Sequence, residues 1–109
     1  MLDDSNKPIF VATDENDDIL GYVFCIFKQQ KNSDILTDIK TLFIDDLCIE
    51  KTARGQNIGK NLYNFAKKFA KEQGCYNLTL NVWADNEKAV KFYEKMEMKP
   101  QKFVFETIL

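Results

Sequence analysis

The seven-residue segment Arg54-Gly55-Gln56-Asn57-Ile58-Gly59-Lys60 combines two cations with two glycines, a composition suited to holding an anion. Glycine lets the backbone turn tightly and approach a ligand closely. An apolar strand pattern precedes the segment and an amphipathic helix pattern follows it. The free N–H groups and the dipole of the first helical turn would therefore add positive charge. The segment predicts a phosphate or pyrophosphate site, although an ordinary glycine-containing connection remains an alternative.

Two nucleotide-binding motifs can be compared with this segment. A P-loop places four residues between its Gly and its Gly-Lys pair, and Ser or Thr comes next. Here three residues separate Gly55 from Gly59, and Asn61 follows Lys60. The dinucleotide-binding pattern Gly-x-Gly-x-x-Gly is also absent from the chain. Both nucleotide-binding interpretations are therefore rejected.

A pair of carboxylates, Asp45-Asp46, interrupts the apolar run of residues 40–49. Carboxylates inside a buried strand are costly unless they have partners or water. Strand alternation predicts that the two side chains lie on opposite faces, so that only one of them faces a cleft.

The composition excludes several classes of site. The 109 residues contain no histidine, which excludes a Ser-His or Cys-His nucleophile pair. The three cysteines, Cys25, Cys48 and Cys75, are far apart and lie in or beside apolar runs. We predict three reduced core thiols and no metal site, because cysteines and carboxylates at these spacings do not suit zinc.

The net charge of −2 conceals a division of charge along the chain. Residues 1–50 hold eleven acids and four bases, whereas residues 51–109 hold six acids and eleven bases. The basic half suggests an anionic ligand and the acidic half a cationic one, such as an amine, although both could be solvated surface charge. Negative net charge without interleaved aromatic and basic residues argues against nucleic acid.

Targeting signals are not evident. No apolar run approaches the ~20 residues that span a bilayer. The acidic start has no apolar stretch of the signal-peptide kind. We therefore expect a cytoplasmic protein that does not associate with membranes.

Hydrophobic periodicity predicts the elements that position these residues. Strands are predicted at 9–13, 19–27, 40–49, 76–83 and 102–107, and helices at 58–73 and about 86–96. The apolar stripe of the first helix comprises Ile58, Leu62, Phe65, Ala66 and Phe69. Gly74 is its stop signal, and Asp85 or Asn86 caps the second helix. These elements predict one α/β (α+β) domain over residues 1–109, with a single mixed, mostly antiparallel sheet and two main helices.

The chain resembles the GNAT superfamily of N-acetyltransferases over about residues 8–107. The acetyl-CoA loop of that family reads Gln/Arg-x-x-Gly-x-Gly/Ala. Arg54 and Gly59 match this pattern, whereas Asn57 replaces the first Gly. Asn tolerates left-handed backbone better than other non-glycine residues, so the loop can keep its shape.

A second motif of the family falls in the later helix. Family members often carry Asn-x-x-Ala, then Phe-Tyr-Glu-Lys, and then Gly-Phe. Asn86, Ala89 and Phe92-Tyr93-Glu94-Lys95 match, whereas Glu97-Met98 departs from Gly-Phe. The two motifs occur in the expected order with a strand between them, which makes the resemblance specific.

The resemblance implies how acetyl-CoA would bind. The strand end Leu47-Cys48-Ile49 would offer backbone groups to the pantetheine arm, and one amide N–H would polarise the thioester carbonyl. Residues 56–60 would hold the pyrophosphate. Asn86 would contact the CoA arm, with Ala89 and Phe92 on the same helix.

The resemblance also implies direct transfer of the acetyl group to a primary amine, without a covalent intermediate. Asp45 or Asp46, preferred over Glu50, would take a proton from the amine, either directly or through water. Tyr93 would protonate the leaving thiolate, since a phenol of pKa ~10 can return a proton to a thiolate of pKa ~8.5. Structural alternatives remain: Tyr93 as a core aromatic and the aspartates as surface or amine-binding charges. Asn86 could be a helix cap, a ligand contact or both.

The resemblance leaves open a second function besides catalysis. Members of the family usually begin with a further strand and two helices that help to form the acceptor wall, and this chain starts after them. The chain is therefore interpreted either as a whole domain or as a truncated fragment that lacks the acceptor site, and the alternative function is a non-catalytic CoA-binding or interaction module. The exposed sheet edge would favour a homodimer.

Overall fold

The computed structural model describes residues 6–30, 39–53, 55 and 57–109. Four strands form one sheet in the order β1-β2-β3-β4: β1 (Ile9–Thr13), β2 (Ile19–Gln30), β3 (Ile39–Ile49) and β4 (Asn77–Leu80). β1, β2 and β3 are antiparallel neighbours, whereas β3 and β4 are parallel. Helix α1 (Ile58–Glu72) connects β3 to β4, and α2 (Glu87–Lys95) follows β4. The predicted mixed, mostly antiparallel sheet with two main helices is confirmed.

The first hairpin closes through an aspartate. Asp14 Oδ1 accepts hydrogen bonds from the backbone N–H groups of Asn16 at 2.8 Å and Asp18 at 3.0 Å. An Asp side chain that satisfies backbone donors in this way stabilises a tight turn. The polar run between the first two predicted strands therefore forms the predicted turn.

The core lies between the sheet and α1. The buried side chains are Val23, Cys25, Leu42 and Ile44 from the sheet, and Leu62, Tyr63, Ala66 and Ala70 from α1. The predicted stripe of α1 is right at Leu62 and Ala66 and wrong at Phe65, which is 55% exposed. The Phe65 ring packs at the core margin, 4.9 Å from that of Phe10. The buried face of α1 therefore includes Tyr63 and Ala70, which the predicted stripe omitted.

Helix α1 ends where the sequence predicts. Gly74 has φ 77°, a left-handed conformation that glycine adopts without steric cost. Its N–H donates to the Lys71 carbonyl at 3.1 Å, and the Cys75 N–H donates to the Ala70 carbonyl at 2.9 Å. This pair of bonds is the Schellman arrangement, which satisfies the last carbonyls of a helix.

A bulge in β3 changes the expected faces of the aspartate pair. Ile44 pairs with Cys25 and Asp46 pairs with Phe24, so Asp45 is the extra residue. The bulge keeps Ile44 and Leu47 on the same, α1-covered face although they are three positions apart. The strict alternation predicted for the two aspartates is therefore wrong, because a bulge breaks the period of two. Both aspartates are exposed, and Asp46 lies on the face opposite α1.

Three predicted strands differ from the structure by more than one residue. β2 extends to Gln30, three residues beyond the predicted 19–27. The strand predicted at 76–83 is limited to Asn77–Leu80. The strand predicted at 102–107 is wrong: residues 101–109 form no regular element, and Phe103 and Phe105 are 77% and 89% exposed. A strand needs a neighbour for its backbone hydrogen bonds, and no described strand pairs with this segment. High β-propensity does not replace that neighbour.

Candidate functional site

The central feature of the site is an opening between β3 and β4. The two strands pair from Thr41 and Asn77 to Ile44 and Leu80. β4 then ends, whereas β3 continues to Ile49 with β2 on its other side. Residues 45–49 consequently have no described strand neighbour on the side of the opening.

Backbone groups of β3 point into this opening. The Glu50 N–H donates to the Leu20 carbonyl at 2.8 Å, so Glu50 faces β2. Successive residues of a strand direct their N–H and C=O groups to opposite sides. The groups of Leu47 and Ile49 therefore face the opening and are oriented to bind an extended ligand as an added strand.

The start of α1 forms one end of the site. Asn57 is left-handed, with φ 62° and ψ 22°, as expected for a residue that replaces glycine, and its side chain makes no capping hydrogen bond. The first turn contains no acidic residue, and Lys60 there is exposed. A cation at the positive end of a helix dipole is unfavourable unless an anion accompanies it. Gly55, with φ 91°, turns the chain just before this point. The predicted Arg54 and Gln56 lie outside the described residues.

Gly59 brings three elements together. A Cβ atom on Gly59 would lie 3.4 Å from Cζ of Phe92 and 3.7 Å from Cδ1 of Ile49. The start of α1, the middle of α2 and the end of β3 thus converge there. From the sequence, Gly59 is interpreted as allowing a ligand to approach the backbone closely. In the structure, a Cβ atom at this position would instead point into the protein.

Helix α2 carries the second motif. Asn86 Oδ1 accepts a hydrogen bond from the Ala89 backbone N–H at 3.2 Å, so Asn86 is the helix cap, one of the two residues predicted for that position. Its side chain is exposed, whereas Ala89 and Phe92 are half-buried. The proposed contact of Asn86 with CoA stays a prediction.

Tyr93 is partly buried on the inner side of α2. Its ring lies 5.0 Å from that of Phe92 and 6.3 Å from that of Tyr63. Burial raises the pKa of the Tyr93 phenol above its usual value of 10.0, and Tyr63 and the charge of Asp46 raise it further. Tyr93 is therefore a core-packed aromatic whose hydroxyl remains a proton donor in neutral solution.

Tyr22 is a residue that the sequence did not single out. Its hydroxyl donates a hydrogen bond to Asp46 Oδ2 at 3.2 Å. A hydrogen bond with the Cys48 side chain is the largest cause that raises the pKa of Tyr22 to about 12, and the charge of Asp46 is the next. In the sequence, Tyr22 looks like one more aromatic of an apolar strand. Only the register, which pairs Tyr22 with Cys48, brings the three residues together.

The cysteines differ in exposure. All three are free; Cys25 is buried, Cys75 is intermediate and Cys48 is exposed. The prediction of core thiols is therefore wrong for Cys48. Burial raises the pKa of the Cys25 thiol to about 11, and it also raises that of Cys75.

A separate groove lies on the sheet face opposite α1. Its volume is about 510 Å³, and its lining includes Lys28, Phe43, Asn77, Asn81 and Lys102. The Lys28 ammonium lies 4.0 Å from the centre of the Phe43 ring. None of the predicted site residues lines this groove.

Across residues 6–30, 39–53, 55 and 57–109, no three His, Cys, Asp or Glu side chains form a group that could hold a metal ion. In the same ranges, no helix has the length and apolar character needed to cross a membrane.

Known proteins share both the sequence pattern and the fold. Residues 1–98 match the sequence model described as the Acetyltransferase (GNAT) family. The BH1408 protein of Bacillus halodurans, solved as a tetramutant, has a TM-score of 0.89 and 28% identity over 96% of this chain. A protein of Pyrococcus furiosus assigned as an acetyl transferase has a TM-score of 0.81 and 33% identity over 94% of this chain.

An aminoglycoside acetyltransferase, meta-AAC0020, from an uncultured soil metagenomic sample is also similar. Its TM-score is 0.79, with 25% identity over 99% of this chain, and it was solved in complex with trehalose. The matched regions cover 67%, 66% and 69% of these three proteins, so this chain spans about two thirds of their length.

Proposed function

Because the chain belongs to the acetyltransferase (GNAT) family, we propose that it transfers the acetyl group of acetyl-CoA directly to a primary amine. The observation that carries this proposal is the opening beyond the Ile44–Leu80 pair. This part of the fold contains a strand whose backbone groups face the opening and a helix start that has no side-chain cap. It also contains two ionisable side chains, Asp46 and Tyr93.

Acetyl-CoA would lie across this opening. The pantetheine arm would bind the backbone groups of Leu47 and Ile49, and one of these two amides would polarise the thioester carbonyl. The pyrophosphate would bind at residues 56–60 beside Arg54, where Lys60 has no acidic neighbour in the first helical turn. Asn86, Ala89 and Phe92 would flank the CoA arm from α2.

Asp46 is the stronger candidate for the base. It lies on the open face of the sheet, holds a hydrogen bond from Tyr22, and its charge acts on Tyr93. Asp45 is the bulge residue and has none of these described interactions. Asp46 would take a proton from the ammonium group, directly or through water, because only a neutral amine attacks the thioester.

The chemical step then balances as follows. The amine nitrogen forms a bond to the thioester carbon, and the carbon–sulfur bond breaks. The nitrogen loses its second proton to solvent, so that a neutral amide forms. Tyr93 gives its phenolic proton to the departing thiolate. The raised pKa of Tyr93 keeps the phenol protonated until this step. Solvent returns a proton to Tyr93, and Asp46 releases its proton to solvent.

The acceptor class follows from charge. Asp45 and Asp46 are both exposed at the end of the opening. A cationic amine, either a small molecule or a lysine side chain of a protein, would complement them. The preference for a cationic acceptor amine is therefore part of the proposed function.

A second function is a non-catalytic CoA-binding or interaction module. The observation that favours it is the open sheet face, on which Ile9, Val11 and Phe24 are 56%, 53% and 37% exposed. No described helix covers that face. A homodimer through an edge strand of the sheet, such as β1, belongs to the same set of proposals.

Turnover separates the two functions. The chain would be incubated with acetyl-CoA and a panel of polyamines, aminoglycosides and lysine peptides, and the acetylated product and CoA would be quantified by mass spectrometry. Amine-dependent formation of both products supports transfer. Saturable acetyl-CoA binding with no product from any amine would contradict transfer and support the binding module.

A further inference from the structure

Tyr22 lies on β2, beside the strand that carries the candidate base. It pairs directly with Cys48 across the sheet, and its neighbour Phe24 pairs with Asp46. The Tyr22 side chain therefore reaches diagonally to the next position on the same face of β3, and its hydroxyl donates a hydrogen bond to Asp46 Oδ2 at 3.2 Å. The contact depends on the β3 bulge, which places Asp46 on the same face of the sheet as Tyr22.

The Tyr22 ring is itself held in place. Its centre lies 4.8 Å from that of Phe24, with the two planes at 38°. Residues two apart on a strand share a face, so this contact follows from the strand geometry. This contact restricts the Tyr22 ring, whereas Asp46 is an exposed side chain that would otherwise sample several rotamers.

The hydrogen bond gives the two carboxylate oxygens of Asp46 different roles. Oδ2 is occupied by the Tyr22 hydroxyl. Oδ1 has no described hydrogen bond and can receive the proton of an amine or of a bridging water. The Cys48 side chain and the charge of Asp46 raise the pKa of Tyr22 to about 12, so the phenol is in its donating form at neutral pH.

We propose that Tyr22 is a positioning residue for the acetyl transfer reaction, and that it acts by fixing the Asp46 carboxylate with one oxygen directed to the acceptor amine. This proposal rests on the function proposed above. Tyr22 would not contact acetyl-CoA. Its effect would therefore fall on turnover and not on cosubstrate binding.

A double-mutant cycle tests this role. Wild type, Tyr22→Phe, Asp46→Asn and the double variant would be compared in kcat, in KM for the amine and in Kd for acetyl-CoA. Tyr22→Phe should lower kcat about tenfold, the order expected for a lost hydrogen bond to a charged group, with unchanged Kd for acetyl-CoA. In the Asp46→Asn background, Tyr22→Phe should have no further effect, because it acts through the carboxylate.

Tyr76→Phe is the matched control, since Tyr76 is 76% exposed and has no part in the proposed site. Its kcat should equal that of wild type. Tyr22→Phe keeps the ring contact with Phe24, and its unfolding temperature would be measured to establish that the fold is retained. Tyr22→Leu, which removes both ring and hydroxyl, would give the same loss of kcat if the hydroxyl is the important group.

Three results would overturn the inference. Tyr22→Phe with wild-type kcat, while Asp46→Asn is impaired, would remove Tyr22 and leave the proposed function intact. Equal losses from Tyr22→Phe in both backgrounds would show that Tyr22 acts independently of Asp46. Wild type that binds acetyl-CoA but acetylates no amine would refute the proposed function, and the role of Tyr22 would fall with it.

Discussion

Gly59 lies against Phe92, so closely that a Cβ atom on Gly59 would be 3.4 Å from Cζ of the Phe92 ring. The two residues belong to the two separate motifs by which the chain resembles its family. Their proximity brings the start of α1 close to the middle of α2.

Alanine should have opposite effects at Gly59 and Gly55. At Gly59 a methyl group makes ordinary contacts, and alanine favours a helix by up to about 1 kcal/mol over glycine. At Gly55 no atom lies within 4 Å, but φ is 91°, so alanine should cost roughly 1 kcal/mol in backbone strain. Urea unfolding followed by circular dichroism measures both changes. A Gly59→Ala variant less stable than Gly55→Ala would contradict the described packing.

Asn57 is predicted to be replaceable by glycine but not by alanine. Its φ of 62° is left-handed, which costs an ordinary residue about 1–2 kcal/mol. Asn57→Gly should therefore equal or exceed wild type in stability and in acetyl-CoA affinity, whereas Asn57→Ala should lower both. Unfolding and calorimetric titration provide the two measurements. Weaker acetyl-CoA binding by Asn57→Gly would mean that the asparagine side chain itself contacts the ligand.

The sequence predicts the fold well where a local rule is sufficient. The limits of β1, the stop at Gly74 and the left-handed Asn57 each follow from one residue type or one period. The sequence fails where a partner decides the outcome. Residues 102–107 have the composition of a strand, but no described strand pairs with them.

The candidate site shows the same division. The family resemblance suggests Asp45 or Asp46, Asn86 and Tyr93 as site residues, and these roles stay predictions. The choice between the two aspartates required the β3 bulge, which the apolar pattern does not reveal. Tyr22 required the β2–β3 register, because its partner Asp46 is distant in sequence. Interactions across the sheet are thus what the sequence alone could not supply.

The three thiols should react at different rates with an alkylating reagent. Cys48 is exposed, whereas Cys25 is 1% exposed and its pKa is raised to about 11, so that it remains a protonated thiol near pH 8. Mass spectrometry of the native protein should find Cys48 modified first and Cys25 last. Acetyl-CoA should slow the modification of Cys48, since the pantetheine arm would run along its strand. Modification of Cys48 at the same rate with and without saturating acetyl-CoA would place the ligand elsewhere.

Tyr93→Phe should lower kcat roughly 10²-fold, as expected for loss of a general acid, with little change in Kd for acetyl-CoA. Burial raises the pKa of Tyr93 above its usual value, so its ionisation should cause no fall in wild-type kcat between pH 6 and 9. Steady-state rates between pH 6 and 10 would be measured by product formation. Unchanged kcat in Tyr93→Phe would remove Tyr93 from the mechanism.

The most direct test of the central claim is calorimetric titration of acetyl-CoA into wild type and Arg54→Ala, with Lys102→Ala as a control cation outside the site. The account predicts saturable binding by wild type and the control. It predicts at least tenfold weaker binding by Arg54→Ala, because a charge-assisted contact with phosphate contributes about 1.5–3 kcal/mol. Wild type that does not bind acetyl-CoA, or an Arg54→Ala variant with wild-type affinity, would contradict the account.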